Sequence, residues 1–413
     1  MNWLIMNKAS VISVRDELHY SEAVVVSEGE NCFKIDSKII TGIEKSWWHF
    51  RIRLTLISIL ISSYSNPLHW IRGINYLIHL RKKFLGNFKL KKLVKVDGKY
   101  YMGLYTPGWN DDIYKRFIIS ELNHYKSIEK SVLRFNHVYL AITKKCPLQC
   151  DHCYAWDVLN QKDQLNENDL SNIISKLQAM GTGQIHLTGG EPMLKLDILI
   201  NLISKSKNTT NFWINSSGFK LTNEVAKRLK NAGLTGVFIS LDHFEKEKHN
   251  NFRKFKDAYY WAINGAKNAI ENQLVVVFSV CVTNDFVSEE NLMAYMQLAR
   301  KTGVHFVQFL EPKEVGHFKG KEVTITQENI AILESFYTKI NFSNEFLDFP
   351  IISYHGYYQR RQGCFAGGNR SMYVDTEGNL NACPFCHTNS GNILHEDFEN
   401  QLSAMSIQGC PTY

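Results

Sequence analysis

A chain of 413 residues is too long for one small domain and suits a large α/β core with appendages. Its 44% hydrophobic and 21% charged content is that of a foldable globular protein, which excludes wholesale disorder. A net charge of +7 is too modest to argue for a nucleic-acid partner, and nine cysteines clustered at metal-like spacings argue against a secreted disulfide scaffold. The opening residues lack a signal peptide's basic start, long apolar core and small-residue cleavage site, so a reducing cytoplasm is the expected location.

Residues 1–135 are expected to form an N-terminal extension. Strand-like runs at 23–26 and 32–36 come first. Residues 47–85 then hold two apolar segments, 54–61 and 68–80, with basic flanks. The first is too short, and too punctuated by Ser and Arg, to span a bilayer, which takes about 20 apolar residues. Arg51, Arg53, Arg72, Arg81, Lys82 and Lys83 with Trp47, Trp48 and Trp70 suit a helix lying on a membrane surface. The same pattern also fits a helical hairpin packed on the core or on a dimer partner. Residues 93–96 and 100–105 flank Asp97-Gly98, a good tight-turn pair, and predict a hairpin.

From 136 to 312 the pattern becomes regular. Six apolar runs of strand length recur at 137–142, 184–187, 211–214, 236–241, 274–282 and 304–310, with helical patterns between them. The clearest helix places Leu170, Ile173, Ile174, Leu177 and Met180 on one face, with Asn166 as N-cap and Gly181 as stop. Strict alternation implies right-handed βαβ units and a parallel sheet. The fold class is therefore α/β: a partial (β/α)6 parallel barrel, with an α+β extension before it and a small unit at 313–413. In such barrels chemistry sits at the C-terminal ends of strands. Past Pro312 the alternation is expected to end; a helix at 327–340 leads to a cysteine-bearing terminus.

Cys146, Cys150 and Cys153 follow the first barrel strand directly, in a C-x3-C-x2-C run. Three thiolates, and not four, leave one iron of a [4Fe-4S] cluster without a protein ligand; four cysteines suit electron transfer. Zinc sites more often show paired C-x2-C motifs or cysteine pairs followed by histidines. On this spacing the chain resembles the radical S-adenosylmethionine (SAM) enzymes.

That resemblance implies SAM chelated at the open iron and a 5′-deoxyadenosyl radical that takes hydrogen from substrate. It assigns Tyr154 a place beside the cluster and adenine. Gly189, Gly190, Glu191 and Pro192, ending the second strand, match the family's Gly-Gly-Glu-Pro motif near SAM's ammonium. The third strand ends in an altered form of the family's Thr-Asn-Gly turn, making Asn215 a candidate, though a plain polar turn fits equally. Ser240, with Asp242, and Arg253 resemble the segment that contacts SAM's ribose and carboxylate in relatives; Val282 and Asn284 are weaker candidates. An external electron donor such as flavodoxin or ferredoxin is implied as well.

Cys364, Cys383, Cys386 and Cys410 form a second group, around a hairpin expected at 372–374 and 379–381. The layout resembles the SPASM or shorter twitch extension of radical SAM enzymes, which implies one auxiliary iron–sulfur cluster. A zinc ion on all four cysteines, or on three of them with His387, is the alternative, and Cys410 near the end could instead be a free thiol. Cys32 and Cys281 read as structural. The resemblance favours a ribosomally made peptide as substrate. A small molecule or a lipid at a membrane surface is the second reading, and a non-catalytic iron–sulfur or zinc protein the third. No cobalamin-binding motif stands out.

Overall fold

The structure, a computed structural model, describes residues 37–128, 135–364 and 367–408. The expected strands at 23–26 and 32–36, together with Cys32 and Cys410, lie outside the described residues. β1 (Ser37–Ile40), β2 (Leu93–Val96) and β3 (Lys99–Tyr101) form an antiparallel sheet in that order. The expected β2–β3 hairpin is present: Asp97 and Gly98 take φ of 50° and 71°, as a type I′ turn demands.

Between β1 and β2 run α1 (Gly42–Ser63) and α2 (Pro67–Leu85); α3 (Asp112–Asn123) packs on both. Asn66 caps α2, its side-chain oxygen accepting from Leu68 N–H at 2.9 Å, and Pro67 opens the helix. Ile52, Ile59 and Leu60 of α1 face inward, onto Tyr64, Trp109, Tyr114 and Leu122. Among the described residues no helix is long and apolar enough to cross a membrane.

The expected alternation follows. Its elements are β4 (His137–Thr143), α4 (Glu167–Ala179), β5 (Gln184–Gly189), α5 (Leu196–Lys205), β6 (Asn211–Ser216) and α6 (Asn223–Ala232). They continue with β7 (Leu234–Ser240), α7 (Lys246–Arg253), α8 (Ala258–Glu271), β8 (Val275–Cys281), α9 (Glu289–Thr302) and β9 (Phe306–Leu310). Every neighbouring pair from β4 to β9 is parallel. Asn166 and Asp169 close a capping box at the start of α4, and Gly181 stops it with φ 78°.

The alternation runs one unit further than expected. After β9 come α10 (Gln327–Phe342) and then β10 (Ile351–Tyr354), which pairs parallel with β9. Only four residues long, and followed at once by α11 (His355–Gln362), β10 is too short to leave a periodic signal. At the opposite edge β11 (Ser371–Val374) pairs parallel with β4, and β12 (Leu380–Asn381) closes the expected hairpin. The sheet is open and nine-stranded, ordered β10-β9-β8-β7-β6-β5-β4-β11-β12. α12 (Phe398–Gln408) ends the described chain.

Alternation along each strand sorts its side chains. Val138, Leu140 and Ile142 of β4 join the core beneath Leu170, Ile173 and Ile174 of α4. The inner face carries Trp213, Phe238, Val275 and Phe306, against which Val94, Val96, Tyr101 and Leu104 pack as a floor. Tyr105 reaches further in: its hydroxyl accepts from Gln308 Nε2 at 2.6 Å and bonds Tyr139 Oη at 2.8 Å. The N-terminal sheet thus closes one mouth of the barrel. The mouth at the strands' C-terminal ends holds the motifs.

Candidate functional site

The loop after β4 carries Cys146, Cys150 and Cys153. Their side chains pack in one small apolar cluster with Leu148, Phe255, Ala258 and Trp261. Neighbouring segments fix the loop's backbone. Cys146 N–H donates to Asn160 Oδ1 at 2.9 Å, and Asn160 itself takes a left-handed φ of 63°. Asp163 accepts from Lys144 N–H at 2.7 Å and pairs with Lys195 at 2.8 Å. His317 N–H donates to Cys153 O at 2.9 Å, while its ring stacks on Trp156 with centroids 3.8 Å apart. None of Asn160, Asp163 or His317 was foreseen from sequence. They act on backbone groups, which leave no spacing to detect.

Burial pushes the thiols up, Cys153 to about 12 with Cys150 adding to it. At Cys150 burial also raises the value, and the Arg253 guanidinium, with Nη1 3.5 Å from the sulfur, opposes it. Such thiols bind metal as thiolates, the metal displacing their protons to solvent. Among the described residues no three Cys, His, Asp or Glu side chains converge on a point that one metal ion would occupy. Three sulfurs from one loop, in an apolar pocket beside a guanidinium, would suit the three protein ligands of an iron–sulfur cluster, which spreads them over several irons.

The glycines of the β5 loop have a steric cause. Gly190 N–H donates to Thr143 O at 2.7 Å and Glu191 N–H to Lys145 O at 2.8 Å, laying this backbone directly on the cysteine loop. A Cβ at Gly189 would collide with Thr143 O, and one at Gly190 with Lys145 O. Pro192 begins a buried short 3-10 turn, Pro192–Lys195.

Glu191 is 1% exposed, and both its oxygens are occupied by protein donors. Oε1 accepts from Ser216 Oγ at 2.8 Å and Met193 N–H at 3.1 Å; Oε2 accepts from Ser217 N–H at 2.8 Å and Ser217 Oγ at 2.6 Å. Burial raises its carboxyl and the Ser217 contacts oppose that. The carboxylate therefore ties the β5 loop to the β6 loop. Glu191→Ala would strand several buried donors, each costing about 1–3 kcal/mol, so a loss of roughly 3–5 kcal/mol is expected. Glu191→Gln, which keeps a carbonyl for Ser217, should lose under half of that; urea unfolding of both variants checks the ratio.

Arg253 ends α7 and is 7% exposed. Its Nε donates to Asp242 Oδ2 at 2.5 Å, and Asp242 Oδ1 accepts from Cys281 N–H at 3.1 Å. Burial alone would raise the Asp242 carboxyl, but Arg253, His152, His249 and the Cys281 N–H together outweigh it and hold the group below the ordinary carboxylate range. The fork of Arg253 thus spans Asp242 and Cys150. Ser240 stands half-buried at the end of β7, level with Ser279 on β8. Asn215 stands half-buried near the end of β6, its side chain directed to the buried His186 ring. Val282 is buried, whereas Asn284 is drawn off to the 324–326 backbone, donating to Thr324 O at 2.8 Å.

A cleft of about 260 Å³ opens beside the cysteine loop, lined by Thr143, Lys144, Tyr154, Gly189, Tyr373 and Glu377 among others. Tyr154 meets Tyr373 edge-on at 6.0 Å and Phe385 at 6.1 Å, and buried Lys144 pairs with Glu377 at 2.7 Å. The C-terminal hairpin is thereby anchored over the strand ends. Cys383 and Cys386 sit in one turn, Cys386 N–H donating to Cys383 O at 3.1 Å. Gly367 N–H points at Cys364 Sγ, 3.3 Å away, and Gly368 N–H donates to Ala382 O at 3.2 Å, so Gly367 and Gly368 bring Cys364 and Cys383 into one neighbourhood. Exposed His387 approaches Pro384 O at 3.1 Å.

Residues 140–299 match the family model of the radical SAM superfamily. The GTP 3′,8-cyclase of Aliarcobacter butzleri is 27% identical over 187 residues, covering 43% of this chain and 56% of that protein. The chain thus spans little more than half the length of the curated relatives it matches. Among solved structures, Streptococcus suis SuiB bound to its precursor peptide SuiA aligns with a TM-score of 0.54 at 13% identity, over 74% of this chain and 73% of that one. The anSMEcpe structure with bound AdoMet and a Cp18Cys peptide aligns at 0.51 and 17% identity, over 65% and 82%. At these identities the structural matches speak for the fold.

Proposed function

The chain belongs to the radical SAM superfamily, and on that premise we propose that it reductively cleaves SAM and abstracts hydrogen from a substrate held beside the cysteine loop. Bound to three thiolates, a [4Fe-4S] cluster supplies an open iron for SAM and the electron that cleaves it. The observation that carries this reading is the clustering of Cys146, Cys150 and Cys153 in one loop whose Thr143–Cys146 segment lies against the Gly189-Gly190 backbone at the barrel's C-terminal mouth. Around them, Arg253 sets positive charge beside Cys150, and Tyr154 walls the cleft. Ser240 and Asn215 end neighbouring strands β7 and β6 and offer polar groups to SAM. Cys364, Cys383 and Cys386, with Cys410, are the proposed ligands of one auxiliary iron–sulfur cluster, and flavodoxin or ferredoxin the class of electron donor.

A ribosomally made peptide is the favoured substrate, since SuiB and anSMEcpe both carry peptides on the same fold. A small-molecule substrate is the second reading, favoured by the GTP 3′,8-cyclase relatives, whose identity to this chain is higher but whose match is shorter. The test is anaerobic loading with iron and sulfide, then reduction in the presence of SAM. 5′-Deoxyadenosine is expected; its absence from well-loaded protein would overturn the enzymatic reading in favour of a non-catalytic one. Faster SAM consumption with a short peptide encoded beside the gene, and not with GTP, would decide between the substrates.

A further inference from the structure

The hairpin α1–α2 buries one side on α3, and among the described residues nothing covers the other. Ile43, Trp47, Phe50, Leu54, Ile57 and Ile61 recur every three or four residues along the outer face of α1; Trp47 is 56% exposed and Leu54 50%. At about 100° per residue these six fall within roughly 40° of one line. Arg51 and Arg53, both exposed, stand about 80° to either side of that line. Leu68, Ile71 and Ile78 add further exposed apolar side chains on α2. A continuous apolar stripe of this length on a protein surface marks a contact site.

Charge says with what. Between residues 42 and 91 the chain has nine Lys or Arg (Lys45, Arg51, Arg53, Arg72, Arg81, Lys82, Lys83, Lys89 and Lys91) and one acid, Glu44. Glu44 is already paired with Lys38 at 3.0 Å. A second copy of this surface would set like charges against each other across the seam, with no acid to relieve them. We propose that the outer face of α1, with the basic residues of α1 and α2, docks the protein on an anionic lipid bilayer. The apolar stripe enters the acyl boundary, and Arg51 and Arg53 meet headgroup phosphates on both sides, the arrangement of an interfacial helix. This docking is independent of what the barrel catalyses.

The test uses the full chain and flotation with vesicles of phosphatidylcholine containing about one third phosphatidylglycerol, beside pure phosphatidylcholine. Binding to the anionic vesicles is expected, weakening as salt rises from about 0.1 M to about 0.5 M. Arg51→Gln with Arg53→Gln should lower the partition constant roughly 25-fold, about five-fold per charge. Trp47→Ser with Leu54→Ser, both on the solvent face, should lower it further while leaving the circular dichroism unchanged. Equal binding to pure phosphatidylcholine, or binding indifferent to the arginine changes, would overturn the proposal. So would a concentration-dependent dimer broken by the Trp47 and Leu54 changes in a protein that ignores vesicles, which would assign the face to a second copy. A monomer that binds neither would assign it to residues 1–36 of the chain itself.

Discussion

Alanine at any one of Cys146, Cys150 or Cys153 is expected to leave a folded protein that fails to yield 5′-deoxyadenosine and takes up about four fewer irons per chain. The fold should survive because each change deletes one sulfur. Cys150, the most buried of the three at 7% exposure, loses contacts worth roughly 1–2 kcal/mol, a fraction of ordinary domain stability. The loop keeps its own supports, Asn160 on Cys146 N–H and His317 on Cys153 O, because those bonds use backbone groups. Arg253 keeps Asp242. Alanine at both Cys383 and Cys386 should remove iron too but spare SAM cleavage more than substrate turnover. Iron and sulfide content, with product assayed beside it, separates the two groups. Equal loss of SAM cleavage from both would contradict two separate sites.

The barrel was legible because its strands are buried on both faces and read as continuous apolar runs; all six expected strands pair in the expected order. The Asp97-Gly98 hairpin and the Asn166 cap were legible because one or two residues with special backbone demands determine them. What was hidden is long-range. Tyr105 meets Gln308 from 203 residues away, and nothing near Tyr105 in sequence announces it. The motif Gly-Gly-Glu-Pro was found by its position. The structure gives its glycines a packing cause against Thr143 and Lys145, and its glutamate a clamp on Ser216 and Ser217. For residues 47–85 the periodicity announced two helices but not which side is covered. Ile52, Ile59 and Leu60 satisfy the packed-hairpin reading on the inner side, while among the described residues nothing covers the outer stripe from Ile43 to Ile61.

Acid should destabilise this protein well before its carboxylates titrate. His186 and His305 are essentially buried; burial lowers them from 6.5 to about 3 and about 4. His137 lies well below 6.5, first through burial and then through His186 and His355 nearby. The structure requires the neutral forms. His305 Nδ1 accepts from Val276 N–H at 2.9 Å, a bond that protonation of that nitrogen would break. His186 stacks on Trp213 with centroids 5.9 Å apart, inside the closed floor of the barrel. The folded values are depressed, so the unfolded chain binds more protons between pH 6.5 and 4. Stability is then complete above 6.5 and lost as pH falls toward 4, at up to about 1.4 kcal/mol per pH unit for each histidine. Three together give roughly 4 kcal/mol per unit below pH 6, enough to remove most of a typical domain's stability near pH 5. Urea unfolding at pH 7.5, 6 and 5 should show the midpoint falling steeply. His186→Phe, which keeps an aromatic ring against Trp213 and removes the titration, should lower that slope by about one third; a slope unchanged by the substitution, or a midpoint flat from pH 7.5 to 5, would contradict the assignment.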